Sequence, residues 1–268
     1  MREFPQELVD AVIEYCYAGP GGLATVKTCG LVCQQWLPRS RMYLFFRVML
    51  DSHNLAPFIA IVDSSPFPIL SFVQHLTLRF VHLAPDDALL QKIIYHCPNL
   101  CYVEADIFAF GAFGAYRAAR TQTGWFYQCL QDYLEVWAFN SPSLTRFNFQ
   151  NAEGHTLSTE TIVQTIKRIP SLECLGIYGG SVYASPQLQL QAPTHLPMSW
   201  HTLDMDVRYP GNLLSLLVAP TLSPLTSLKL KIYSHHEYQS LENYFERAGS
   251  QLVSLSFSFS PNMGSQGP

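Results

Sequence analysis

Charge is scarce in this chain: 16 Lys plus Arg and 20 Asp plus Glu make up 13% of 268 residues, against about 25% in ordinary soluble domains. Long apolar runs are missing too. The most apolar stretches, Leu55 to Val62 and Ile107 to Tyr116, are short and broken by Pro or Gly. They fall well below the ~18 to 20 uninterrupted residues of a bilayer span, so a membrane protein is not expected. The formal net charge is -4, and Lys and Arg are scattered without a basic patch, which leaves a nucleic-acid partner without electrostatic support. The opening Met-Arg-Glu-Phe-Pro-Gln-Glu has no apolar h-region and does not read as a signal peptide. C-x-x-C pairs are also absent. Seven Cys, an odd number spread over apolar segments, point to a reduced intracellular protein, cytoplasmic or nuclear.

Catalytic signatures are lacking as well. There is no G-x-S-x-G, no Gly-rich phosphate loop ending in G-K-[ST] and no H-E-x-x-H, the patterns that place a nucleophile, a nucleotide or a zinc ion. Cys29-x3-Cys33 and Cys97-x3-Cys101 do not have metal-ligand spacing. The chain is therefore expected to be no enzyme, with no cofactor, no metal and no catalytic residue. A Cys-His hydrolase is the enzyme alternative, although no His is tied to a Cys by a supporting spacing. His235-His236 reads as a solvated turn before a helix.

What the sequence does contain is apolar residues at a regular distance. They make up 48% of the chain, with 13% aromatics, too many for disorder. The pattern L-x-x-L-x-L is matched seven times with central positions Leu76, Val103, Phe147, Leu175, Leu203, Leu228 and Leu255, at intervals of 27, 44, 28, 28, 25 and 27 residues. A weaker eighth match centres on Val48, 28 residues earlier. Between several of the matches lie helical patterns: Asp86 to His96, Thr159 to Ile169 and Glu237 to Ala248. Pro85-Asp86 and Ser158 mark starts, and Pro98 and Pro170 mark the return to a strand. Each unit reads as strand, turn, helix, turn, and it cannot bury its apolar face without neighbours.

This periodicity resembles a degenerate leucine-rich-repeat solenoid: an α/β fold with parallel strands and outer helices, covering residues 44–268 in seven to eight units. The Asn that the family carries three positions after the last Leu is absent, replaced by Val81, Phe108, Ala152, Gly180, Arg208, Tyr233 and Ser260. The 44-residue interval contains an insertion at 106–124, with Gly111, Gly114, Tyr116, Arg117 and Arg120, followed by an aromatic helical pattern from Trp125 to about Ala138. It is expected either as an exposed loop or as a lengthened unit that packs locally. After about Ser260 no polar cap follows, so a continuation or a covering partner is expected at that end.

In a strand written L-x-L the alternating residues face away from the core. On this rule Arg79, Tyr102, Glu104, Arg146, Asn148, Tyr178, Asp204 and Lys229 are candidates for an outer, substrate-reading face. Asp204 and Asp206 should lie beside Lys229 and Lys231 as a ladder of opposite charges, worth about 0.2 to 1 kcal/mol per pair.

Residues 1–43 follow a different pattern. Leu8, Val9, Val12, Ile13 and Cys16 form a helical stripe after Phe4-Pro5, and Gly19-Pro20-Gly21-Gly22 ends it. A second apolar helix is expected from Leu23 through Val26, Cys29, Leu31 and Val32 to Trp36, before Pro38. Phe4-Pro5-x-Glu7-Leu8-Val9, then Val32-Cys33-Gln34-Gln35-Trp36, then Leu44-Phe45-Phe46-Arg47-Val48 resemble the F-box pattern Leu-Pro-x-Glu-Leu, apolar helix, Val-Cys-x-x-Trp and strand-like exit. The stretch from Thr28 to Arg41 is similar to F-box proteins abundant in mushroom-forming fungi. The resemblance implies a non-catalytic subunit whose F-box docks on a SKP-type adaptor of a cullin-RING ubiquitin ligase and whose repeats hold a protein substrate. It implies adaptor contacts at Phe4, Pro5, Leu8, Val9, Val32 and Cys33, with Ile13 and Trp36 in the small helical core. The alternative is a repeat scaffold in which this hairpin only caps the solenoid.

Overall fold

The computed structural model describes residues 5–51, 53–79, 88–106, 141–150, 156–183, 196–217, 225–234 and 237–259. Its centre is a sheet of nine strands: β1 (Arg47–Leu50), β2 (His75–Arg79), β3 (Tyr102–Asp106), β4 (Arg146–Gln150), β5 (Thr156–Ser158), β6 (Cys174–Tyr183), β7 (Thr202–Arg208), β8 (Ser227–Ile232) and β9 (Ser254–Phe259). Eight of them lie side by side in chain order, and the short β5 pairs with the far end of β6. Every pairing is parallel.

The repeat pattern fixes the register. Val48, Leu76, Val103, Phe147, Leu175, Leu203, Leu228 and Leu255 are partners across the sheet, and the residues two further along form a second row. All of these point inward, and from β1 to β8 they are buried. The weak upstream match is thus a true first strand. In β9 all six residues are exposed, including Leu255, Phe257 and Phe259, because no described residue lies beyond it.

Helices return the chain between strands: α4 (Leu55–Ser64), α5 (Ala88–His96), α6 (Thr159–Arg168), α7 (Gly211–Leu217) and α8 (Tyr238–Ala248). In α6 the Ser158 hydroxyl accepts the Thr161 N–H at 3.0 Å, an N-cap that satisfies one of the free amides of the first turn. Ile162, Val163 and Ile166 then face the core. Helix α4 is built from the apolar stretch read above only as too short for a membrane. Its Pro57 sits in the first turn, where no helical N–H is needed.

The family's Asn is missing, and a ladder of side-chain bonds is found instead at the other end of the strands, before the first apolar position of the repeat. In four successive repeats the residue just before the first apolar position donates its side chain to a carbonyl of the preceding unit: Asn99 to Ser71 at 2.7 Å, Ser143 to Leu100 at 3.3 Å, Ser171 to Leu144 at 2.7 Å and Ser199 to Pro170 at 2.7 Å. Two consecutive backbone N–H groups also converge on one carbonyl of the unit before, as Glu173 and Cys174 do on Thr145 at 2.8 and 3.0 Å. The same pairing recurs at Gln74, Cys101, Glu173, His201 and Thr226. These bonds hold the turns at strand spacing without an Asn three positions after the last Leu.

The N-terminal helices form a second, smaller core. Helix α1 (Gln6–Ala18), α2 (Gly22–Cys29) and α3 (Leu37–Phe46) enclose Val9, Ile13, Val26, Cys29 and Tyr43, with Trp36 packed against them. The expected single helix from Leu23 to Trp36 is corrected. It stops at Cys29, where Leu31 N–H bonds Thr28 O and Val32 N–H bonds Cys29 O in tight three-residue turns. Pro38 then lies in the first turn of α3 instead of ending a helix. The strand-like exit is also corrected: Leu44 to Phe46 are helical, and the strand begins at Arg47. Phe45 packs against the large core, so α3 joins the two.

The insertion at 106–124 lies outside the described residues from 107 onward, as do the helical pattern at 125–138, Phe4 and His235-His236. No helix among the described residues is long and apolar enough to cross a membrane.

Two predictions follow from this register. Leu175→Asp places a carboxylate in a fully buried site, at a cost of several kcal/mol, more than about 4. The expected outcome is loss of the cooperative thermal transition, and wild-type melting would show that Leu175 does not face the core. Ser171→Ala removes one rung of the turn ladder and should lower stability by about 1 kcal/mol, measurable by urea unfolding with an unchanged slope.

Candidate functional site

The sheet has one face against the helices and one open face, and on the open face the alternating residues stand in rows. The first row runs Arg47, His75, Tyr102, Arg146, Cys174, Thr202 and Ser227. The second runs Met49, Thr77, Glu104, Asn148, Gly176, Asp204 and Lys229. The residues expected to read a substrate all lie on this face, and all but Arg79 fall into two groups.

In one group the Tyr102 hydroxyl donates to Glu104 Oε2 at 2.7 Å and accepts from Asn148 Nδ2 at 2.8 Å. Exposed Arg146 stands beside them. In the other, the Tyr178 hydroxyl donates to Asp204 Oδ2 at 3.1 Å, and Lys229 Nζ reaches the same oxygen at 2.9 Å. Lys231 pairs with Asp206 at 3.0 Å, completing the expected charge ladder, and Tyr233 also donates to Asp206.

Gly176 lies between the groups. A Cβ there would come within 2.6 Å of the Tyr178 ring and against the Asn148 amide, so the missing side chain lets Tyr178 lie flat across the strand. Gly179 and Gly180 take left-handed φ values of +73° and +64°, open to glycine without penalty. They let β6 bulge after Tyr178 and resume pairing at Ser181. Arg79 is exposed at the end of β2, away from both groups.

Burial raises the pKa of Tyr102 and Tyr178, and the adjacent Glu104 and Asp204 carboxylates add to it. Both phenols therefore stay protonated and act as hydrogen-bond donors. Burial also pushes up the thiols of Cys29, Cys97, Cys101 and Cys174, that of Cys97 to about 12. This is the opposite of an activated nucleophile. Among the described residues no group of three His, Cys, Asp or Glu is arranged to hold a metal.

At the β1 end of the open face is a cavity of about 360 Å³ whose lining includes Arg47, Met49, His75, Tyr102, Glu104 and Arg146. Two of its lining rings, His75 and Tyr102, lie 5.2 Å apart between centroids, and Phe46 lies behind His75 at 4.9 Å. Arg47 and Met49 were not among the residues expected on this face; the alternation places His75 there beside Thr77 and Arg79. Extending the outward alternation to the weak first repeat would have found Arg47 and Met49.

The N-terminal helices present the other feature. Leu8, Val12 and Tyr15 form an exposed stripe on α1, and Leu23, Leu31 and Val32 are exposed nearby in sequence. Leu31 is 87% exposed, Val32 59% and Leu8 54%. Of the residues expected to touch an adaptor, Pro5, Leu8, Val32 and Cys33 are exposed, and Phe4 lies outside the described residues. Val9 is corrected: at 1% exposure it closes the helical core beside Ile13 and offers no contact surface. On α1, positions 9 and 13 turn inward while 8 and 12 turn outward, as the helical period requires.

No family model matches the chain, and no curated protein matches it. Among solved structures, an internalin (inlF) from Listeria monocytogenes str. 4b F2365 aligns over 95% of this chain and 89% of that chain, with 13% identity and a TM-score of 0.28. The parallel sheet in chain order is consistent with a leucine-rich-repeat-like solenoid.

Burial and the Arg47 and Arg146 guanidiniums hold the pKa of His75 below its ordinary value. The unfolded chain therefore takes up this proton at higher pH than the folded one. Stability present above about pH 6.5 is lost as pH falls through that value toward the folded pKa. His75→Gln should flatten this part of the pH–stability curve, whatever it does to the absolute melting temperature; an unchanged slope in urea titrations would show that His75 is not the group responsible.

Proposed function

We propose that this protein is a non-catalytic substrate-recognition subunit of a SKP-cullin-F-box ubiquitin ligase. In this reading the N-terminal helices dock on a SKP-type adaptor, and the open face of the sheet binds the protein to be modified. The repeat part is then a protein-interaction module of leucine-rich-repeat type, intracellular and free of cofactors.

The observation that carries the proposal is the two-sided apolar character of the N-terminal unit. Its core is already closed by Val9, Ile13, Val26, Cys29 and Tyr43, yet Leu8, Val12, Leu23, Leu31 and Val32 remain exposed. Exposed apolar side chains gathered in one small unit whose own core is already closed point to an interaction site. A hairpin that served only to cap the sheet would turn such residues toward the stack. The capping alternative draws on α3, whose Phe45 and Phe46 do reach the large core and His75. Capping by α3 leaves the α1 stripe free, so the two roles are compatible.

The test is capture of a purified SKP-type adaptor by the full chain. Leu8→Asp with Val32→Asp should reduce capture at least about tenfold, since charge in a buried apolar contact costs more than about 1.4 kcal/mol. Because both side chains are exposed, the melting temperature should stay near wild type. Undiminished capture by a folded double variant, or no capture by the wild type, would remove the adaptor reading.

A further inference from the structure

We propose that β9 is a self-docking edge: two copies of this protein pair antiparallel through it about a two-fold axis at Phe257, so that the sheet of one copy continues into the other. The inference goes beyond the adaptor and receptor reading and does not depend on it.

The two edges of the sheet differ. At β1 the exposed Arg47 puts a charge on the strand, and α3 packs beside it through Phe45. A charge and a covering helix are among the devices that keep an edge from pairing. β9 has neither. It reads Ser-Leu-Ser-Phe-Ser-Phe, without charge, proline or bulge, and no Lys, Arg, Asp or Glu follows Arg247 in the sequence. Leu255, Phe257 and Phe259 continue the rows that are buried in the other strands, yet they stand 39 to 58% exposed. Among the described residues nothing pairs with the far side of this strand.

Backbone direction sets the register. Ser254 N–H bonds Thr226 O at 3.0 Å, and in a ladder every second residue turns its N–H and C=O to the same neighbour. Ser254, Ser256 and Ser258 therefore face β8, while Leu255, Phe257 and Phe259 turn their N–H and C=O to the open side. With the axis at Phe257, that residue meets its own mate, and Leu255 meets Phe259 of the second copy. Each of these pairs exchanges both its N–H···O bonds, at about 5.5 Å between Cα atoms. The same register sets apolar side chains against one another on the core side and Ser256 against Ser258 on the open side, so both faces match. An axis at Ser256 would instead put Phe259 opposite Val253, whose N–H is already given to Thr226.

Self-complementarity names the occupant. A neutral strand offers no charge to attract a charged partner, and two copies meet there without repulsion although each chain carries a net -4. Both copies use the same edge, so the contact closes at two, and the guarded β1 edge does not extend it.

The test uses the full chain in sedimentation equilibrium from about 1 to 200 μM, a range that brackets a micromolar dissociation constant, with residue-resolved amide exchange by NMR at both ends of it. The mass should rise from 30.2 kDa to twice that value. Exchange at Leu255, Phe257 and Phe259 should slow at least about tenfold in the dimer, whereas Ser256 and Ser258, already bonded to β8, should change far less. Phe257→Lys and Phe259→Lys should each weaken the dimer at least about tenfold. Because both side chains are partly exposed, the melting temperature should stay near wild type.

An unchanged monomer mass would overturn the proposal and leave the edge to a strand of another protein. A dimer that both lysine variants leave intact would also overturn it, since its contact would lie elsewhere. Full protection of the Leu255, Phe257 and Phe259 amides in the dilute monomer would show that the chain covers its own edge. The wild-type exchange pattern needs no variant, so a lysine variant that failed to fold would not shelter the idea. Adaptor capture is read separately: its failure leaves the dimer standing, and a monomer that still captures the adaptor fells this inference alone.

Discussion

The whole structure depends on strands pairing in parallel with their apolar positions in line. A strand of five or six residues in this chain satisfies its backbone only through its neighbours, and it hides its two or three inward side chains only beneath them. The rows from Val48 to Leu228 and from Leu50 to Leu230 are dry because each unit is covered on both sides. A slip of one residue would turn every inward residue out. The β9 strand shows the converse: with the same alternation and the same register, it remains exposed where the covering neighbour ends.

Within that constraint the residues are not interchangeable. β3 contributes the small Val103 and Ala105 to the two rows, and β4 beside it contributes Phe147 and Phe149, packed edge to face at 4.9 Å. Small against large keeps the layer filled, as close packing demands. Polar economy is similar. The turns hold their spacing with Ser and Asn side chains and shared carbonyls, none of which needs a charge. The low charge of the chain follows from this, since both the inner rows and the turns are built from uncharged groups. Of the charges that remain, a share lies on the open face, paired at Asp204 and Asp206 and, among the described residues, without an ion pair at Arg47 and Arg146.

The strands were legible because their signal repeats: any single L-x-x-L-x-L is weak, but the interval between Leu175 and Leu203 predicts the interval elsewhere. Alternation then placed Tyr102, Asn148 and Asp204 on one face without any structure. The turn ladder was not legible, because Asn99, Ser143, Ser171 and Ser199 are ordinary turn residues until their acceptors one unit away are known. The break after Cys29 was missed for a local reason. Leu31 and Val32 continue the apolar pattern of α2, and only their exposure shows that apolar character there is not burial. The same ambiguity placed Val9 among contact residues, since a stripe of Leu8, Val9, Val12 and Ile13 does not say which side is inward. The cavity escaped because its lining comes from four strands, one of them the faintest repeat.

Helix α3 ties the two candidate surfaces into one geometry. Tyr43 closes the core of the N-terminal helices, Phe45 packs against the core of the sheet, and the Phe46 ring lies tilted against His75, which lines the cavity. Three of the last four residues of a single helix thus touch three different environments. The C-terminal turn of the helix packs against both cores, so the N-terminal unit is joined to β1 by packing as well as by the chain. A target seated at Arg47 would therefore sit at the junction of sheet and helical unit, at a fixed distance from whatever the exposed α1 stripe engages. On the proposed ligase reading, that fixed distance is the property the fold would supply, and it arises from where α3 ends and β1 begins.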